Sequence, residues 1–392
     1  MNNLLIKLAK AKRMWQRTGF LGGVNILSSY LTTFTKAFFV GSGDVLFVTS
    51  GVGDSAVYRA YNTAEELRLH GFKAKTTITD NPRLEKLASK FEIFIFHRVV
   101  VDEKIKNFIE IIKKLEKEII FETDDLVHDP KYLIHMDYFK NMSTSEQEVY
   151  KKGIGTEIID DPYVKVCTTT VSFLANILAQ KNKRVIIVPN KFSQKELEIA
   201  NKVLKNKKPQ GDFVRIVYCS GTLSHNKDFA TIKDALLQIV RKYPLVKLKF
   251  VGPLDLPDEF AKLKEKVEVV PRVPRSAIYE QIHQADINLA PLEIDNPFCE
   301  SKSEIKFTEA GAVEVPTVAV RNQTFSEAID DGVDGFLAET IDEWVEKLSA
   351  LIDNEKLRKE MGKSAREKTL RDYTNKNSSN DEYYDYISSK LN

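Results

Sequence analysis

The segment SKSEIKFTEAGAVEVPTVAV, Ser301 to Val320, carries two periods in succession, a helical one and then an extended one. Ser301-x-x-Glu304 has the capping-box spacing, so a helix is expected to begin at Lys302. Gly311 and Pro316 punctuate its far end, and Thr317–Val320 is an apolar run of strand length. Lys302, Lys306 and Glu309 fall at i, i+4 and i+7, which places two ammoniums and a carboxylate on one helix face. A helix N-terminus beside two lysines can seat a phosphate. A carboxylate two turns further in can accept hydrogen bonds from ribose hydroxyls. The plainer alternative is a solvated face of intrahelical ion pairs.

Outward from this segment the same alternation repeats in both directions. Gly43–Thr49 reads as a strand, Ser50-Gly-Val-Gly-Asp54 as a glycine turn, and Ser55–His70 as a helix with Ala56, Ala60, Ala64 and Leu67 on one face. Strands at 73–78, 91–96, 118–121, 164–167 and 184–188 alternate with helices at 82–89, 102–117 and 170–179. Asn201–Asp212, with its lysines, reads as a linker. A second series opens with Val214–Cys219 and the turn Ser220-Gly-Thr-Leu-Ser-His-Asn-Lys227. It continues with helices at 229–243, 258–264 and 276–284 and strands at 245–251, 267–270 and 286–289. Helices between short apolar runs imply parallel sheets with right-handed crossovers, whose ligands gather at the carboxyl ends of the strands. His97-Arg98 and Glu122-Thr-Asp124-Asp125 stand at such ends. Asp124-Asp125 can orient an acceptor hydroxyl or cap the following turn. Arg59, inside the first helix, can reach the same crevice, but reads more readily as a surface arginine.

With 392 residues, the chain is long enough for two domains with separate cores. A net charge of +2 gives no footprint for nucleic acid. The cysteines, Cys167, Cys219 and Cys299, are odd in number and lie far apart with no C-x-x-C. That spacing argues against a disulfide framework and a structural zinc, and fits a reducing compartment. Residues 1–40 form a basic and apolar extension: Lys7, Lys10, Lys12, Arg13 and Arg17 alternate with leucines and Trp15. This suits an interfacial helix on an anionic leaflet, or equally an extension that packs on the protein itself. The run from Phe20 to Val40 is too polar to span a bilayer.

Ala285–Val320, ADINLAPLEIDNPFCESKSEIKFTEAGAVEVPTVAV, resembles the donor-site segment of retaining GT-B glycosyltransferases of family four, in which a helix ends in Glu-Ala before a Val-Pro strand. The resemblance implies two Rossmann-like doubly wound α/β domains facing a cleft. The acceptor domain would be 41–200, the nucleotide-sugar domain 213–372, and residues 373–392 a helix returning to the first domain. It implies that Glu309 holds the ribose, that Ser301, Lys302 and Ser303 meet the diphosphate at the helix start, and that Lys306 lies beside them. Lys227 matches the family's diphosphate-clamping lysine, on a turn with Gly221 and Thr222. Thr222 stands where the family carries Arg, with Ser224, His225 and turn amides as its replacements. A second family Glu, eight residues before Glu309, is replaced by Ser301. His97 resembles the histidine beside the donor sugar, with Asp124 near the acceptor and the turn at Gly53 near the diphosphate or the acceptor. There is no D-x-D in the chain, and the family handles diphosphate charge with helix dipoles and basic side chains, so neither metal nor cofactor is expected.

The function implied is transfer of a sugar from a nucleotide diphosphate, with retention, to a glycan or lipid-linked glycan during surface-polysaccharide synthesis. The expected place is the cytoplasm, at the inner membrane face if residues 1–40 bind lipid. The rivals are another GT-B activity, such as epimerase or phosphorylase, and a non-catalytic subunit that binds glycan or stabilises a partner enzyme.

Overall fold

The computed structural model describes residues 39–391 except 52, 209–210, 222–224 and 264, and before them only residues 32, 34 and 35. The chain divides into two units. The first runs to Lys191 and takes back Ser379–Asn392, and the second is Phe192–Ser378.

The first unit holds β1 (Val45–Thr49), β2 (Ala74–Ile78), β3 (Ile93–His97), β4 (Glu118–Glu122), β5 (Val166–Thr169) and β6 (Arg184–Ile187). They form one parallel sheet in the order β2-β1-β3-β4-β5-β6. Strands such as VLFVT and IFIFH are buried along their whole length, because helices cover both faces of a parallel sheet. Alternate residues feed opposite cores. Leu46, Val48, Phe94, Phe96 and Phe121 enter one; Val45, Phe47, Ile93, Ile95 and Ile120 enter the other. The second core is closed by Ala60, Ala64 and Leu67 and by Tyr383, Tyr386 and Ile387 of the C-terminal helix Asp381–Ser389. Each of these large side chains contributes roughly 2 kcal/mol by burial.

The second unit holds β7 (Val214–Cys219), β8 (Val246–Val251), β9 (Val267–Val270), β10 (Ile287–Ala290), β11 (Thr317–Val320) and β12 (Phe336–Ala338). Its sheet is parallel in the order β12-β11-β10-β7-β8-β9. In both sheets the chain winds outward one way and then starts again on the other side of the first strand. The order therefore reverses between β1 and β3 and between β7 and β10. At such switch points the following loops diverge and leave a crevice above the strand ends.

Four expectations are corrected. Asn201–Asp212 is not the boundary: Gln194–Val203 is a helix of the second unit, closed at its start by a reciprocal Ser193–Glu196 capping box. Its Ala200 and Val203 pack with Val217, Tyr279 and Val313. The helix foreseen over 229–243 is two, Asn226–Ala230 and Lys233–Lys242. Arg59 is 1% exposed and not a surface residue. It lies in a π-helical turn, Val57–Asn62, and its guanidinium makes a bidentate pair with Glu122 and donates to the carbonyl of Val188. The helix expected from Lys302 begins at Ile305 and runs to Gly311. The chain first makes a separate turn, Pro297–Glu300, started by Pro297 and by the Asn296 side chain accepting from the Phe298 amide.

Candidate active site

At the first switch point the ends of β1, β3 and β4 hold one connected set of polar side chains. His97 closes β3 and is 2% exposed. Its Nδ1 lies 3.1 Å from the Thr49 hydroxyl, and its Nε2 lies 3.0 Å from Ser55 Oγ and 3.5 Å from Asp124 Oδ1. Ser55 donates its own proton to Asp124 Oδ2 at 2.7 Å. With that proton committed, Nε2 of His97 is the donor to Ser55, and every bond in the chain points toward the Asp124 carboxylate. Arg98 completes the set. Its backbone is left-handed at φ 48°, a conformation uncommon outside glycine, and its guanidinium reaches Asp124 at 3.3 Å and Asp125 at 3.0 Å. Burial works against the Asp124 charge, but Arg98, His97 and Ser55 outweigh it and hold this carboxyl well below its ordinary range. Burial raises Asp125, with Arg98 opposing and Asp124 adding to the rise.

The second switch point is built around Asp228, 1% exposed. Its Oδ2 takes Lys302 Nζ at 3.0 Å and His225 Nδ1 at 2.7 Å. Its Oδ1 accepts from the Glu293 amide at 3.2 Å and from the Cys299 thiol at 3.2 Å. One carboxylate thus ties the loop after β7 to the loop after β10. Burial opposes its charge, yet His225 and Lys302 prevail and keep it well below the usual carboxylate range. Asp228, Glu293 and Cys299 also bring ligand-type atoms within 4.8 Å of one another. Both Asp228 oxygens accept hydrogen bonds, so the group braces the two loops. Lys306 donates to the Cys219 carbonyl and lies over the Tyr218 ring, 5.2 Å from its centroid. Burial lowers its pKa, as does the charge of Lys302; Cys219 and Glu309 act in the opposite direction. Lys302, Lys306 and Glu309 therefore share one field even though Lys302 precedes the helix.

Residues 198–368 match the family model described as glycosyl transferases group 1. The match lies within the second unit. Solved structures similar to the chain share its fold, the two-sheet GT-B arrangement of glycosyltransferases. A glycosyltransferase from Rickettsia africae has a TM-score of 0.58 at 13% identity, over 89% of this chain and 99% of that one. Anabaena HepE in complex with UDP has a TM-score of 0.57 at 13% identity, over 88% and 100%. Sucrose-phosphate synthase from Thermosynechococcus elongatus has 0.56 at 13%, over 89% and 97%. Comparison with curated proteins found no match.

Within the second unit, Lys302 and Glu309 both act on Lys306. Lys227 is exposed on the helix Asn226–Ala230, beside Asp228. Ser301 is not the N-cap of the helix that follows, nor an open contact: it is fully buried, and its hydroxyl donates to the Phe298 carbonyl. The amides of Ser301 and Lys302 are also committed, to the carbonyls of Pro297 and Cys299. This overturns a diphosphate seat made from those two amides, because the turn Pro297–Glu300 uses them first. Ser303 is half-buried just beyond. Gly221 is exposed at the end of β7, and Thr222 and Ser224 lie outside the described residues. In the first unit Gly53 is exposed, with no atom within 4 Å of an added Cβ. His97 is buried, and both its ring nitrogens are engaged. Ser55 and Asp124 stand in front of it.

Ser55 and Asp228 were not foreseen as site residues, and Arg98 was singled out only as the neighbour of His97 at a strand end. Asp228 had a signal: it follows the candidate Lys227 directly and lies three residues after His225, a spacing that pairs side chains across one helical turn. The basic extension of residues 1–40 lies almost wholly outside the described residues. Among the described residues no helix is long and apolar enough to cross a membrane.

Proposed function

We propose that this protein is a retaining glycosyltransferase of the family-four type, which moves a sugar from a nucleotide-diphosphate donor to a glycan or lipid-linked glycan in surface-polysaccharide synthesis. The observation that carries the reading is the meeting of Lys302, Lys306, Glu309 and Asp228 at the switch point of the unit that the group 1 family model matches. The two ammoniums oppose charge that develops on the leaving diphosphate, with Lys227, Ser303 and Gly221 beside them. Glu309 accepts from the ribose hydroxyls. Cationic side chains of this number suffice for a reaction without a metal or a further cofactor. In the first unit Asp124 receives the acceptor hydroxyl, and His97 positions Ser55 and Asp124 from behind. The turn at Gly53 leaves room for substrate next to them. The work is cytoplasmic, with peripheral attachment at the inner membrane face through residues 1–40.

Anabaena HepE in complex with UDP-glucose makes UDP-sugars the first donors to try. The test is release of nucleoside diphosphate from UDP-, GDP- and dTDP-sugars, with a membrane-lipid fraction as acceptor, for wild type and Glu309→Ala. Release from one class of donor is expected, lowered roughly thirtyfold in the variant when the donor is well below saturation. A well-folded protein that releases none, with or without acceptor, would favour a non-catalytic subunit.

A further inference from the structure

Asp228 and His225 form a carboxylate–imidazole pair in which the carboxylate is buried and the ring is not wholly so: their side chains are 1% and 16% exposed. The ionised carboxylate has only acceptors, so His225 Nδ1 carries the proton across the 2.7 Å bond. Nε2 is left with its lone pair. An ideal Cβ on Gly221 would lie 3.8 Å from that nitrogen, so Nε2 stands beside the turn that follows β7, above the switch point. Among the described residues, charge faces the ring from its own helix, from the loop after β10 and from the helix beyond. Asp228 faces it from its own helix, Lys302 Nζ lies 3.3 Å from Nδ1 from the loop after β10, and Lys306 acts on it from the helix Ile305–Gly311. The Tyr218 hydroxyl of β7 donates to the His225 carbonyl, and burial keeps that phenol protonated.

Among these groups Lys302 and Lys306 are matched by Asp228 and Glu309, so the pocket is close to neutral before a ligand arrives. Burial and then Lys302 push the His225 ring down to about 4, and it is uncharged at neutral pH. A diphosphate diester brings two negative charges into this partly desolvated place. Opposite charge within hydrogen-bond reach favours the protonated ring, and a buried carboxylate behind Nδ1 stabilises the imidazolium that results.

We propose that His225, held by Asp228, is a phosphate-binding residue that takes up a proton at Nε2 as the diphosphate binds. It rests on the nucleotide-sugar reading above. The proton comes from solvent, one N–H bond forms, and no other bond changes. His225 then supplies a charged donor where a family-type arginine is missing.

The experiment is calorimetric titration of the full chain with UDP-glucose, and with GDP-mannose, in HEPES, PIPES and Tris at pH 7. Both phosphates of these probes are diesters that do not titrate near neutrality, so a buffer-dependent heat reports the protein. The expected result is uptake of about half to one proton, and an affinity that rises roughly three- to tenfold per pH unit on going from pH 8 to 6. His225→Gln should bind roughly tenfold more weakly at pH 7 with no proton uptake. His225→Arg, a permanent cation, should bind with affinity independent of pH. Binding without uptake in wild type, or uptake that persists in His225→Gln, overturns the proposal and leaves the nucleotide-sugar reading standing. Absence of binding by folded wild type to either probe removes that reading and the proposal with it.

Discussion

The two switch points use the same geometry for opposite electrostatic ends. At the first, between β1 and β3, hydrogen bonds from Thr49, His97, Ser55 and Arg98 converge on one carboxylate, Asp124, that remains partly open. At the second, between β7 and β10, the carboxylate Asp228 is sealed and its partners Lys302 and His225 face outward. One end presents a carboxylate, and the other presents the Lys302 ammonium beside an uncharged imidazole. In the proposed reading, the first orients an acceptor hydroxyl and the second holds phosphate.

The largest effect is expected at the presented carboxylate. Asp124→Asn should lower transfer by about a hundredfold, the range for misplacing a reacting group. Affinity for a nucleotide sugar should change by less than about twofold. Parallel loss of donor binding would break the division between the two ends. Next comes the sealed one. Asp228→Asn leaves Lys302 and His225 without their shared partner and should lower stability by about 3 kcal/mol at pH 7, measured by urea unfolding. The Asp228 pKa is depressed in the folded state, so its contribution is present above the unfolded value of about 3.9 and fades as pH falls below it. The gap between variant and wild type should therefore narrow below about pH 4.

How far such features can be read from sequence differs between the two ends. The strands and the lysine-and-glutamate segment were legible because parallel β-strands are continuous apolar runs and because Lys306 and Glu309 sit at helical spacing. The capping-box reading of Ser301 failed because the Asn296-Pro297 start competes for the same residues and wins locally. The helix Gln194–Val203 was missed although Ser193-x-x-Glu196 is the same signal, there real. Arg59 was misread because its partner Glu122 is 63 residues away, and no local pattern reports a pair of that separation. The chain Thr49–His97–Ser55–Asp124 was illegible for the same reason. It exists only once β1, β3 and β4 are side by side.

A third prediction concerns a histidine near the first end. His128 is 1% exposed, its Nε2 has no partner, and burial lowers its pKa to about 4. Its uncharged form is the folded one, so stability is complete above the unfolded value of about 6.5 and is lost as pH falls from there toward 4, by roughly 3 kcal/mol in all. His128→Gln should flatten that part of the curve, whereas a curve unchanged in the variant would assign the acid loss elsewhere. The smallest effect is at Glu309. Glu309→Ala should weaken nucleotide-sugar binding by about 2 kcal/mol, roughly thirtyfold, with transfer at saturating donor little changed.

The most direct measurement is a crystal structure of the protein soaked with UDP-glucose, or with whichever nucleotide sugar the donor screen selects. The account predicts diphosphate oxygens within hydrogen-bond distance of Lys302 Nζ and His225 Nε2, and ribose hydroxyls on Glu309. A nucleotide lying at the His97–Asp124 end, or Glu309 turned away from the ribose, would contradict it.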